Sequence, residues 1–184
     1  PTQLDFSSLV TAHYKMEGNA NDESGYFNGT AYDVTWDPES ANRGLGGSLY
    51  LGSGANRYVN FGVVPMFKNS TTISYWLNAD ELRQQELLNN ESAATDASGI
   101  GVRIALRSNG SVRLWTGSKD NRSEDVSDAE SGVCYSPGEW VHHAWVFDNG
   151  QIKFYVNGQL RTTQPATNEI NAPHALILGR ILST

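Results

Sequence analysis

The sequence predicts an all-β chain, a two-sheet antiparallel β-sandwich of the jelly-roll kind, with residues 1–184 forming one domain. Three observations carry that prediction. Asn-Gly steps at Asn109-Gly110, Asn149-Gly150 and Asn157-Gly158 each lie between β-rich runs, and Asn-Gly accommodates the positive φ of tight hairpin turns. Glycine numbers 18 in 184 residues, above the roughly 7% of average usage, and no long window is built of Ala, Leu, Glu and Lys. Short apolar runs with turn residues between them recur at about 8–12 residues, the spacing of sandwiches.

The elements follow in order. Residues 9–16 are rich in β-formers and stop at the polar run 17–25, which reads as a strand and a loop. Residues 48–51 and 57–61 flank Gly52-Ser53-Gly54-Ala55-Asn56 and read as a hairpin with a longer loop. Residues 71–77 alternate, with Ile73, Tyr75 and Leu77 on one face and Ser74 and Trp76 on the other. Helix formers gather over residues 80–90. Leu82, Leu87 and Leu88 complete no helical stripe there, so a loop leading into a strand near 86–89 is preferred. The Asn-Gly steps then pair 100–107 with 111–116, 140–147 with 151–156, and that last run with 159–162. Residues 175–179 make the final apolar run.

Charge and cysteine narrow the function classes. Lys plus Arg is 13 against 20 Asp plus Glu, a net charge of −7, and nucleic acid needs a basic surface that this chain lacks. No run of about 18 apolar residues exists, so no membrane insertion is expected. A lone Cys134 excludes an internal disulfide and a Cys-based zinc site.

Several segments, in this order and spacing, resemble the bacterial laminin-G-like jelly rolls of the concanavalin A-like lectin/glucanase superfamily. They are residues 9–25 with the Asn19-Ala20-Asn21-Asp22-Glu23-Ser24-Gly25 loop, 46–52 with 58–62, 72–77, 138–148, and Phe154-Tyr155-Val156-Asn157-Gly158. The resemblance implies a secreted or cell-surface module, extracellular, from a protein such as a large adhesin or a modular carbohydrate-active enzyme. Its partner would be a glycan or another domain of the same large protein. Family members continue past a segment like Ile177-Leu178-Gly179-Arg180 into a closing strand, and this chain stops before it. The resemblance therefore implies a strand cut away, or one donated from elsewhere in a longer chain or by a partner.

Three constellations offer chemistry. Glu17, Asn19, Asn21, Asp22, Glu23 and Ser24 gather oxygens of the kind calcium takes, although the spacing fails the EF-hand pattern. An Asx-rich turn capped by its own side chains is the alternative. The resemblance implies a structural calcium, with Asn19 and Asp22 as the carried-over ligands. The acidic run 124–130 lacks the spacing of a paired-carboxylate hydrolase and reads as a solvated loop. His142 and His143 point to opposite faces of a strand and cannot share one ion. Among the tryptophans, Trp76, Trp140 and Trp145 read as core or half-buried, because aromatics fill sandwich interiors. Trp36 and Trp115, beside polar loops, are the candidate ligand-binding residues. The reading is a non-catalytic carbohydrate-binding or adhesion module, calcium-supported. A ligand-free scaffold is the alternative, and a glycan hydrolase or lyase comes third.

Overall fold

The structure is a computed structural model that describes residues 10–38, 46–52, 56–91, 100–118 and 121–180. In chain order its strands are β1 (Thr30–Tyr32), β2 (Thr35–Asp37), β3 (Ser48–Tyr50), β4 (Tyr58–Asn60), β5 (Ser70–Asn78), β6 (Gln85–Asn89) and β7 (Val102–Leu106). They continue as β8 (Val112–Ser118), β9 (Asn121–Val126), β10 (Trp140–Asp148), β11 (Gln151–Val156), β12 (Gln159–Pro165) and β13 (Ile177–Leu178), with a one-turn helix α1 (Asp128–Ser131) before β10. Two sheets form the sandwich. One has the order β1-β4-β13-β6-β7-β8-β9 and the other β12-β11-β10-β5, while β2 and β3 make a small ribbon. Every strand pairing is antiparallel. The all-β antiparallel sandwich read from the sequence is the fold.

Alternation decides which side chains make the core. Along β10, Val141, His143, Trp145 and Phe147 are buried while Trp140, His142, Ala144 and Val146 are only partly covered. Val102, Ile104 and Leu114 of the seven-stranded sheet meet Trp145, Phe147, Ile152 and Phe154 of the other, all at 1% exposure or less. Burying so much apolar surface is the main stabilising term of such a fold.

Two of the Asn-Gly steps are two-residue turns with both residues at positive φ: Asn149 at 49° and Gly150 at 73°, Asn157 at 48° and Gly158 at 78°. That is the geometry whose twist matches paired strands. The third step differs, because there only Gly110 has positive φ. Asn109 instead caps a wider turn by accepting a bond from the Ser111 N–H at 3.1 Å.

Other expectations need correction. Residues 10–16 form no strand, since Tyr14 makes only an isolated bridge to Asp22; Leu9 lies outside the described residues. Their burial still alternates, with Ala12, Tyr14 and Met16 half-buried against the core, so the apolar pattern was a face without a ladder. Residues 48–50 and 58–60 do not form a hairpin. β3 pairs with β2, and β4 pairs with β1 and β13. The acidic run 124–130 is no solvated loop, because β9 carries its first part and α1 its second. Trp76 lies on the outer face at 42% exposure, following the parity of β5 rather than the apolar preference of its ring. Among the described residues β5 pairs only with β10 and is one edge of its sheet.

One buried titratable group gives the fold a pH dependence. His143 is fully buried, with Nε2 3.0 Å from the Cys134 carbonyl oxygen and Nδ1 3.3 Å from the Tyr75 hydroxyl. Burial pushes its pKa down to about 4, below the value of 6.5 for a free side chain. Between these two values the unfolded chain binds the proton and the folded chain does not, so stability rises with pH there and is lost as pH falls from about 6.5 to about 4. Urea unfolding across that window is expected to show the loss, and His143→Gln to flatten it; equal slopes in both proteins would remove His143 as the cause.

Candidate functional site

The face of the seven-stranded sheet turned away from the core is polar and carries one tryptophan. On β7 and β8 the side chains that alternate with buried Ile104 and Leu114 are Arg103, Ala105, Arg113 and Trp115. Strand register lines up a row across this face: Asn89 opposite Arg103, Arg103 opposite Trp115, and Trp115 opposite Glu124. On the other side of Asn89 the row continues through Ile177 to Asn60 and Thr30.

The charges on this face are organised into pairs. Arg103 grips Glu86 with two hydrogen bonds, Nε donating to Oε2 at 2.7 Å and Nη2 to Oε1, the fork geometry that suits a carboxylate. Arg113 holds Asp128 through Nε and Nη2, both at 2.8 Å, and Glu124 through Nη1 at 3.0 Å. The Arg113 bonds hold the Asp128 carboxyl down at about 2. Arg122 reaches Glu91 at 3.4 Å. Glu91 is only 5% exposed, and burial raises its pKa although Arg122 and Arg103 pull the other way.

Trp115 sits in the middle of this network. The Arg103 guanidinium lies 4.8 Å from the indole ring centre and that of Arg122 lies 5.8 Å away, distances at which cation–π attraction acts. Two strands from Trp115, on β6, Asn89 is 2% exposed and its Nδ2 has no acceptor, while its Oδ1 accepts the Glu91 N–H at 2.6 Å. A buried amide donor left without a partner is uncommon and costly. At the far end of the same face Tyr32 and Tyr58 stack at 4.4 Å, and the Arg180 guanidinium covers Tyr58 at 3.9 Å.

The candidates read from the sequence fall in separate places. Trp115 lies on this face, carried by β8. Residues 117 and 118 belong to that strand, while Lys119 and Asp120 of the expected loop lie outside the described residues. Trp36, on β2, is half-buried and packs against the core, so it belongs to the sandwich interior and not to the Trp115 face. The acidic run is dispersed. Glu124 pairs with Arg113, buried Asp125 bonds Thr116 and Thr167, and Glu130 caps α1 from the Ser127 side. Arg103, Arg122, Asn89 and Glu91 were not singled out from the sequence. The polar residues breaking the apolar runs of β7 and β8 were the available signal.

The Asn19–Asp22 loop, expected to hold calcium, satisfies its side-chain oxygens internally. One Asp22 oxygen accepts the His13 N–H at 2.7 Å, and the other accepts the Ser24 hydroxyl and the Phe27 N–H, the latter at 3.3 Å. Burial alone would raise the Asp22 pKa, but these bonds outweigh it and hold it low. The Asn19 side-chain oxygen accepts the Asn21 N–H at 2.8 Å. Hydrogen-bond donors therefore occupy the oxygens a cation needs, and among the described residues no three of His, Cys, Asp and Glu gather as a metal group. These side chains fit a self-capped turn and not a calcium cage.

Residues 51–181 match the family described as the concanavalin A-like lectin/glucanases superfamily, Laminin_G_3. The chain belongs to that superfamily. Among solved structures it is similar to domain 4 of AbnA, a GH43 extracellular arabinanase from Geobacillus stearothermophilus, in complex with arabinotriose. The identity is 19%, the alignment covers 95% of this chain and 84% of that one, and the TM-score is 0.66. The binding domain of botulinum neurotoxin serotype D is similar at 14% identity, covering 89% of this chain and 41% of that one, with a TM-score of 0.61. At these identities the likeness establishes the fold. No curated protein sequence matches the chain. Among the described residues no helix is long and apolar enough to cross a membrane.

Proposed function

We propose that this superfamily member is a non-catalytic carbohydrate-binding module that works outside the cell, with its binding site on the Trp115 face. The observation that carries the reading is Trp115 itself, set among paired charges on a polar sheet face. Sugar recognition needs an aromatic plane for the ring's C–H face and fixed donors and acceptors for its hydroxyls. The similarity to an arabinanase domain bound to arabinotriose supports a glycan as the ligand class. The non-catalytic part of the reading is supported by Glu86, Glu124 and Asp128, each of which is tied to an arginine.

A glycan array run in calcium and again in EDTA tests this. The expected result is binding in both, because Asp22 is satisfied within its loop. Trp115→Ala is expected to weaken the best ligand at least about tenfold, as a central aromatic anchor does. No binding by the folded protein in either condition removes the reading.

A second reading has an observation of its own. On the outer face of the four-stranded sheet Trp76 is 42% and Leu160 56% exposed, and His142 lies against Trp76 at 5.2 Å. Such a patch suits packing against another domain of a larger protein. Under that reading Trp76→Ala, and not Trp115→Ala, disrupts domain association measured with the neighbouring domain attached.

A further inference from the structure

The corner of the Trp115 face nearest Glu91 is built unlike the rest. Glu91 follows β6 and Arg122 lies on β9, with two strands between them. Between them lie Gly101, just before β7, and Gly117 of β8, whose backbones hydrogen-bond through Gly117 N–H to Gly101 O at 3.0 Å. Register places Gly117 opposite Arg122, and a Cβ built on Gly101 would lie 2.9 Å from the Glu91 Cα. A Cβ on either glycine would strike neighbouring backbone, so the strands lie close together here, and the Arg122 guanidinium spans them to reach Glu91.

That ion pair is looser than those of Arg103 with Glu86 and of Arg113 with Asp128 and Glu124. Arg122 Nη1 donates to both Glu91 oxygens at 3.4 Å, against the 2.7–3.0 Å bonds that fix Arg103 and Arg113. Charge-assisted bonds settle at about 2.7–2.9 Å when well made. Glu91 is poorly suited to hold a charge, because it is buried and Glu86 lies near enough to repel it, with Arg103 and Arg122 in opposition. Arg122 is exposed, and Trp115 is the ring its guanidinium approaches. One strand beyond Arg103, the Asn89 Nδ2 is buried without an acceptor.

We propose that this corner is the subsite for a carboxylate-bearing sugar, whose carboxylate takes the place of Glu91 on Arg122 while its ring lies against Trp115. The proposal rests on the carbohydrate-binding reading and specifies its ligand class as an acidic glycan. An incoming carboxylate meets the planar fork of Arg122 in bidentate fashion, which Glu91 at 3.4 Å through a single nitrogen does not. Glu91, deprived of one of its two opposing cations, is then held less firmly in its charged form. Binding is therefore coupled to proton uptake, and affinity for the acidic sugar rises as pH falls toward the range where Glu91 titrates.

The probes are oligogalacturonate and its methyl ester, the same chain with and without the charge, measured by calorimetry at about pH 7.5 and about pH 5. The acid is expected to bind at least about tenfold tighter than the ester, with the preference larger at the lower pH. Arg122→Ala is expected to erase the preference. Glu91→Gln, nearly isosteric, is expected to strengthen acid binding at the higher pH and to remove the pH dependence; melting curves verify that both variants fold. Equal affinity for acid and ester overturns the acidic-sugar assignment while leaving a glycan site in place. So does a preference that survives Arg122→Ala. Absence of binding to either probe and to every neutral glycan on the array overturns the assignment together with the reading beneath it.

Discussion

Trp145→Ala is expected to lower the unfolding free energy by about 3–5 kcal/mol, the range for removing a fully buried large aromatic. Trp145 has no exposed surface, stacks on Phe154 with ring centres 3.9 Å apart, and donates its indole N–H to the Tyr75 hydroxyl at 3.1 Å. The substitution leaves a cavity between the sheets and a buried hydroxyl short of a donor. Trp76→Ala, on the outward parity of the adjacent strand, is expected to cost less than about 1 kcal/mol. For a chain of this size each kcal/mol moves the melting temperature by about 2–4 °C, so differential scanning calorimetry separates the two variants clearly. Similar melting temperatures for both would contradict the assignment of inner and outer faces.

Gly117→Ala is expected to cost about 3 kcal/mol, combining a backbone strain of about 1–3 kcal/mol with a clash that only backbone movement relieves. Gly117 has φ +119°, and a Cβ there would lie 2.8 Å from the Arg122 Cα and closer still to the Asn121 carbonyl oxygen. Both contacts are backbone atoms of β9, so neither can rotate away, and the adjustment must open the β8–β9 pairing that positions Arg122 beside Trp115. Gly158→Ala is the control. It has φ +78° and nothing within 4 Å of its Cβ position, so it is expected to cost only about 1–2 kcal/mol. Chemical denaturation checks the stabilities. Equal losses at the two glycines would show that φ alone matters and that the close approach of β9 does not.

What could be read in advance follows from the range of the forces involved. The β10–β11–β12 meander was legible because its turns close over two residues, and Asn149-Gly150 and Asn157-Gly158 carry the required positive φ locally. The inward set Ile73, Tyr75 and Leu77 was legible because strand parity has a period of two. The same parity argument was available for Arg103 and Trp115, yet alternation states only that two residues share a face. It does not say which strand lies beside them. Trp36 shows the limit from the other side, since a tryptophan flanked by Asp37-Pro38 looked like a loop residue and instead closes part of the core.

The sequence by itself determined an acidic, cysteine-poor, antiparallel β-sandwich and most of its inward and outward side chains, because turn chemistry and alternation are local properties. Only the tertiary structure decided that β13, from near residue 177, slides between β4 and β6, and that Glu91 and Arg122 meet across two glycines. The site belongs to the second category. Its members come from strands far apart in the chain, and they became neighbours because burying the apolar face of each strand admits one strand order, with the polar residues carried along on the opposite side.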